Sequence, residues 1–146
     1  SAEITRFTLR MLDRAARLLP GKAGSPAHLE TGRRGEEEAY FYLRRQRYVI
    51  IARNYRSPRS RSELDMVGWD GERLCFIEVK TRSTRAIQPA EAAVDPEKRR
   101  DLSQVARDFL RRIKGDPPFR FDIVSVYYEP GKAPEITLFR NAFPLA

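Results

Sequence analysis

Apolar and polar positions recur with two different periods along the chain, and the changes of period mark the predicted elements. Apolar residues at helical spacing predict three helices, over 4–19, 28–46 and 97–114. β-Branched and aromatic runs predict five strands, over 48–56, 63–69, 73–80, 119–128 and 135–139.

Turn and cap signals connect these elements. Asp70-Gly71 lies between two apolar runs and is a strong signal for a hairpin. Asp95-Pro96 is typical of an N-cap followed by proline at the first helical position. The helix after it joins the third strand to the fourth, as a crossover between parallel strands does. The pattern therefore predicts an α/β domain with a central mixed sheet of about five strands flanked by helices.

Length and composition fit one main domain preceded by a separate helix. The chain has 146 residues, 41% hydrophobic and 33% charged, which is enough to bury a core without disulfides. Residues 1–24 hold a basic amphipathic helix and a linker that starts at Pro20-Gly21, and 25–146 hold the main domain. This helix can pack on the domain, on a second subunit or on a membrane surface. No apolar run reaches the roughly 20 residues of a membrane span, so we expect no stable membrane insertion.

Cysteine and histidine are too few for several kinds of site. Cys75 and His28 are the only residues of their types. One cysteine excludes an internal disulfide and suits a reducing cytoplasm, which is the expected location. Neither a Cys/His zinc site nor a histidine-based triad can be assembled from this set.

The charge balance points to a polyanionic partner. Lys and Arg number 28 against 20 Asp and Glu, a net charge of +8. Nucleic acid is the first candidate and an acidic membrane surface the second. A solvated basic surface is the simpler interpretation, and charge alone does not decide between them.

An acidic cluster with a lysine stands out in the predicted hairpin. Glu78 and Lys80 are two residues apart in an otherwise apolar strand, so they share one face. Asp65 lies on the preceding strand. A turn at Asp70-Gly71 places Asp65 opposite Phe76 and makes it a diagonal neighbour of Glu78. The two carboxylates are then close enough to share one ion.

Carboxylates in a half-buried sheet repel one another and cost desolvation energy. The Lys80 ammonium is one compensating charge. A divalent cation is the other, because such ions prefer oxygen ligands. A cross-strand salt bridge at the sheet edge remains the simpler interpretation.

A third acid is expected from the second predicted helix. Glu36 is the one member of three consecutive glutamates that lies on the inward stripe, and an acid there needs a partner. The other members of the stripe are Leu29, Gly32, Ala39, Tyr40 and Leu43. A solvated glutamate is the alternative. Gly32 and Gly35 would let this helix approach the sheet or a phosphate closely.

Six stretches have an order and spacing that are specific together, although each is weak alone. They are 32-GRRGEEEA-39, 53-RNYR-56, 63-ELDMV-67, 76-FIEVKTR-82, Val94 with Lys98, and 120-RFDIVSV-126. From residue 32 to about 143 the chain resembles the YraN-like family of bacterial predicted endonucleases. Asp65 at the end of one strand, followed by Glu78-x-Lys80 in the next, resembles the PD-(D/E)XK nuclease superfamily, and the YraN-like family is distantly similar to archaeal Holliday junction resolvases. Ser62 and Arg47 stand where glycine is usual, which concerns loop shape more than chemistry.

The resemblance implies a restriction-endonuclease-like core and a catalytic role for each matching residue. Asp65 and Glu78 would bind Mg²⁺ or Mn²⁺, with the Val79 carbonyl as a further ligand. Glu36 would complete the shell directly or through water. Lys80 would position or polarise the attacking water and oppose the developing negative charge.

Basic residues around these motifs are expected to contact phosphates without reading sequence. They are Arg33, Arg34, Arg53, Arg56, Arg59, Arg61, Arg82, Arg85 and Lys98. The leading hypothesis is a metal-dependent DNA endonuclease that is selective for branched or junction DNA. The alternative is a nucleic-acid-binding module with a nuclease-like fold and no catalysis. RNA remains open as a substrate, and resolvase activity would need two active sites in a homodimer.

Overall fold

A computed structural model of the chain describes residues 26–83 and 94–146. The predicted helix over 4–19, the domain boundary after residue 24 and Arg85 lie outside the described residues. Two helices and five strands occupy the described part. They are α1 (Pro26–Arg45), β1 (Val49–Arg56), β2 (Glu63–Asp70), β3 (Arg73–Arg82), α2 (Pro96–Leu110), β4 (Phe119–Tyr127) and β5 (Glu135–Phe143).

The five strands form one sheet in the order β1-β2-β3-β4-β5. β3 and β4 are parallel, and the other neighbouring pairs are antiparallel. α2 connects the parallel pair, as predicted for a crossover. Asp95 is the N-cap of α2, where its Oδ1 accepts a hydrogen bond from Lys98 N at 2.8 Å. The predicted α/β architecture, a mixed sheet of five strands flanked by helices, is confirmed.

Each helix covers one face of the sheet, and alternation along the strands divides the core in two. On the α1 face, Ala39 and Leu43 pack with Ile77. On the α2 face, Leu102 and Val105 pack with Phe76. Because successive residues of a strand point to opposite faces, Glu78 and Lys80 share the α2 face with Phe76. The apolar residues of β3 are buried on both faces, which explains why this strand reads as a continuous apolar run.

The predicted register of the β2–β3 hairpin is wrong by two residues. Asp70 pairs with Arg73 and Val67 with Phe76, so the turn residues are Gly71 and Glu72. Gly71 has φ +62, a conformation that the first position of such a turn requires and that glycine adopts without strain. An even shift leaves every side chain of the paired residues on its predicted face.

Two predicted boundaries differ from the structure by four residues, and the other boundaries differ by two residues or fewer. α2 ends at Leu110 rather than at residue 114, because the chain tightens there and Arg112 N donates to Phe109 O three residues back. β5 continues to Phe143, past a shift in its pairing with β4. Asn141 has φ +53 in this irregular part, which is a common way to bend an edge strand.

Candidate active site

Asp65 and Glu78 are both buried on neighbouring strands, each only 3% exposed. Regular pairing of β2 with β3 ends at Met66 and Ile77. Beyond that pair, Asp65 Oδ2 accepts a hydrogen bond from the Val79 amide at 2.8 Å. The Asp65 side chain thus satisfies a backbone donor of β3 where the ladder stops, and this contact holds its carboxylate beside the peptide that joins Glu78 to Val79.

Two ammonium groups approach the Glu78 carboxylate. Lys80 Nζ lies 3.7 Å from Glu78 Oε1, and Lys98 Nζ, from the first turn of α2, lies 3.9 Å from the same oxygen. The lysine side chains are 26% and 24% exposed. Both distances exceed that of a good hydrogen bond, so the lysines compensate charge without fixing the geometry of Glu78. Lys98 is predicted from the sequence to contact phosphates, and its place beside Glu78 is a finding of the structure.

Glu36 is half-buried on α1. The residue before it, Gly35, marks a very close approach of α1 to the end of β3: a Cβ built at Gly35 would lie 1.9 Å from Thr81 Oγ1. Among the described residues, no three or more Asp, Glu, His or Cys side chains group as metal ligands would. The structure thus brings Asp65, Glu78 and Lys80 together and does not join Glu36 to them in one such group.

The arginines predicted to contact phosphates fall into separate groups. Arg33 and Arg34 are exposed on α1, and the Arg34 guanidinium lies over the Tyr128 ring, 5.3 Å from its centroid. On β1, Arg53 lies 4.6 Å from the Tyr40 ring centroid. Arg56 is ion-paired with Glu63 at 2.7 Å. These contacts hold the basic side chains over aromatic rings and acids of the domain surface.

The loop 57–62 connects β1 to the strand that carries Asp65 and includes the exposed Arg59 and Arg61. Serine hydroxyls attach this loop to α2. Ser57 Oγ donates to the Asp108 carboxylate, and Ser60 Oγ donates to the Asp101 carbonyl at 3.2 Å. Ser57 and Asp108 are not among the residues predicted from the sequence, in which the spacing of the serines is the signal for such contacts.

A second polar network lies on the α1 face. Asp122 is fully buried and accepts hydrogen bonds from Tyr48 Oη at 3.0 Å and from Arg120 Nε at 2.8 Å. Arg120 also donates to Asp70 Oδ2 at 2.6 Å. Burial, with Asp122 nearby, raises the pKa of Tyr48, so its hydroxyl stays a donor. Burial likewise raises the pKa of the Cys75 thiol to about 12, as expected of an inert core cysteine.

Comparison with known proteins identifies the family. A family model described as "Uncharacterised protein family UPF0102" matches residues 35–126. A UPF0102 protein of Koribacter versatilis is 55% identical over 142 residues, which cover 97% of this chain and 96% of that protein. The chain belongs to the UPF0102 family. UPF0102 proteins of Solibacter usitatus and Geobacter sulfurreducens are 50% and 42% identical; the matches cover 77% and 88% of this chain, and 84% and 99% of those proteins.

The family assignment expected from the motifs is confirmed at the level of the UPF0102 family. The matched range contains the acids at 36, 65 and 78 together with Lys80 and Lys98, whereas Arg33 and Arg34 precede it. The candidate site is therefore built within the part of the chain that the UPF0102 model matches.

Within residues 26–83 and 94–146, no helix is both long and apolar enough to cross a bilayer.

Proposed function

We propose that this UPF0102 chain is a metal-dependent DNA endonuclease that hydrolyses phosphodiester bonds and prefers branched or junction DNA. One observation carries the proposal. Asp65 and Glu78 are buried on neighbouring strands, and Lys80 lies two residues further, within 3.7 Å of the Glu78 carboxylate. This is the arrangement expected from the resemblance to PD-(D/E)XK nucleases.

The donor set fits Mg²⁺ or Mn²⁺. Asp65 and Glu78 supply hard carboxylate oxygens, which these ions prefer, and Asp65 Oδ1 and Glu78 Oε2 are buried. The hydrogen bond from the Val79 amide to Asp65 holds this carboxylate beside the peptide whose carbonyl is the third expected ligand. Because no three Asp, Glu, His or Cys side chains of the described residues group as metal ligands would, we propose that Glu36 acts through water.

The protein groups around the acids would orient the reactants. A bound divalent cation lowers the pKa of a water molecule and so supplies a hydroxide near neutral pH. Lys80 is 26% exposed whereas Glu78 is buried, so the ammonium reaches the solvent from which a phosphate approaches. It would donate hydrogen bonds to the attacking water or to a phosphoryl oxygen and oppose the charge of the transition state.

The basic surface would position the nucleic acid. A net charge of +8 favours phosphate contacts, which are strongly salt-dependent. Arg59 and Arg61 are exposed on a loop attached to α2, so we propose that they bind the DNA backbone near the acids. Such contacts would hold RNA as well. A homodimer would offer two sites to a four-way junction, and the proposed location is the cytoplasm.

A second candidate is a nucleic-acid-binding module without catalysis. The observation that favours it is the presence of two ammonium groups beside Glu78. They compensate the buried acids without a metal, as a purely structural site would require. Under this candidate the same basic surface holds nucleic acid and Lys80 contributes only to stability.

Cleavage assays separate the two candidates. The substrates are flap, nicked, single-stranded, four-way and RNA molecules, each with Mg²⁺ or Mn²⁺. We expect wild-type cleavage, and a loss of about 10²-fold or more in Lys80→Met at nearly unchanged DNA affinity. Lys114→Met is the matched control, because Lys114 is exposed beyond the end of α2. Absence of wild-type cleavage on every substrate would favour the binding module, and full activity of Lys80→Met would refute the proposed role of this lysine.

A further inference from the structure

Lys98 is held in an unusual place for a residue that only contacts phosphates. Its backbone amide donates to the N-cap Asp95, and Val94, just before the cap, is 1% exposed. The Val94 carbonyl accepts a hydrogen bond from Arg99 Nε at 2.9 Å. These contacts fix the first turn of α2, so that the Lys98 ammonium lies 3.9 Å from Glu78 Oε1.

The charges of the cluster explain why a second lysine is there. Two buried carboxylates, Asp65 and Glu78, repel each other unless cations lie close by. Lys80 and Lys98 supply one positive charge each, so these four side chains carry equal and opposite charge. A divalent cation at the acids would add two positive charges to this neutral group of four side chains. Both lysines would then repel the ion.

We infer that Lys98 is a positioning residue that couples metal binding to nucleic-acid binding, an inference that rests on the proposed function. Without nucleic acid, Lys98 neutralises Glu78 and weakens metal binding at this site. When a phosphate group arrives, its negative charge offsets the positive excess, and the partly exposed Lys98 ammonium can turn from Glu78 to the phosphate. The metal then binds tightly only when the substrate is present.

Calorimetric titration with Mn²⁺ at pH 8 tests this coupling without measuring activity. The proteins are the wild type, Lys98→Met, Lys98→Arg and Lys114→Met, each with and without a short DNA duplex. In the absence of DNA we expect Lys98→Met to bind Mn²⁺ about tenfold more tightly than the wild type, because one nearby positive charge is removed. Lys98→Arg, which keeps the charge, and Lys114→Met, at an exposed position beyond the far end of α2, should match the wild type. DNA should strengthen Mn²⁺ binding in the wild type and do so less in Lys98→Met.

The outcomes separate this inference from the proposed function. Equal or weaker Mn²⁺ binding by Lys98→Met, in a variant whose thermal unfolding shows a folded protein, overturns the coupling and leaves the metal site standing. Absence of Mn²⁺ binding in every protein, with and without DNA, overturns both. A matching gain in affinity for Lys114→Met would mean that the effect comes from net charge alone, and it would also overturn the inference.

Discussion

The sheet buries its acids in two different ways, one on each face. On the α1 face, Asp122 accepts short hydrogen bonds from Tyr48 Oη, Arg120 Nε and the backbone amide of Asn141, at 2.8 to 3.0 Å. On the α2 face, the ammonium groups of Lys80 and Lys98 lie 3.7 and 3.9 Å from Glu78 Oε1. The donors of the first network are held by the fold, whereas the cations of the second are at the ends of long, partly exposed side chains.

This difference separates a network that stabilises the fold from one that can exchange partners. Short, directional bonds to a charged group are the strong ones, and breaking them leaves a buried charge uncompensated. A lysine that is a quarter exposed can leave Glu78 at lower cost, because water solvates it and salt screens it. The cluster of Asp65, Glu78, Lys80 and Lys98 is therefore the one suited to receive a ligand.

The largest expected effect comes from placing the same substitution in each network. Asp122→Asn should lower the free energy of unfolding by about 3 kcal/mol, because the buried Arg120 loses one of its two carboxylate partners and keeps Asp70. Asp65→Asn should change it by less than about 1 kcal/mol, since the asparagine side-chain oxygen can still accept the hydrogen bond from the Val79 amide. Urea unfolding measures both. Mn²⁺ binding should persist in Asp122→Asn and be lost in Asp65→Asn. Equal losses of stability in the two variants would contradict the proposed difference between the two networks.

An intermediate effect is expected from glycines of α1. Gly35→Ala should destabilise the domain by about 1–3 kcal/mol through overpacking against Thr81, since the added Cβ would lie 1.9 Å from Thr81 Oγ1. It should also lower any cleavage, because α1 would move away from the end of β3. Gly32→Ala is the matched control: nothing lies within 4 Å of its Cβ position, and we expect a gain of up to about 1 kcal/mol from helix propensity. Full activity of Gly35→Ala would show that the site does not depend on α1.

The smallest effect concerns a fourth buried acid, Asp108. The hydrogen bond from Ser57, with nearby arginines, lowers the pKa of Asp108 below its usual range. An aspartate whose pKa is lowered in the folded protein adds stability at pH values above its pKa in the unfolded chain, which is about 3.9. This stability is lost as the pH falls through the lower pKa that the aspartate has in the folded protein. Ser57→Ala should therefore be less stable than the wild type at neutral pH, and the difference should narrow on acidification.

Thermal unfolding between pH 7 and pH 3 measures this narrowing. Ser60→Ala is the control, because Ser60 donates to the backbone carbonyl of Asp101, which does not titrate. Its difference from the wild type should stay constant over this range. A constant difference for Ser57→Ala as well would show that the hydrogen bond to Asp108 does not shift the pKa of this acid.

Local patterns in the sequence predicted the elements of the fold and the acids and lysine that make up the candidate site. Periodicity predicted both described helices and all five strands, and Asp95-Pro96 predicted the start of α2. These signals are local, because a cap or an apolar stripe depends on residues within a few positions. The spacing of Glu78 and Lys80 likewise places both on one face, and the even error in register left that face unchanged.

Contacts between residues far apart in the sequence were seen first in the packed fold. Lys98 reaches Glu78 because the α2 crossover packs on that face of the sheet, and Tyr48 meets Asp122 across 74 positions of the chain. The attachment of loop 57–62 to Asp108 is of the same kind. Such contacts depend on register and helix placement, which many weak packing interactions set together. No pattern of neighbouring residues encodes these contacts. The acids and Lys80 were therefore predictable from local patterns, whereas the contact of Lys98 on α2 with Glu78 was not.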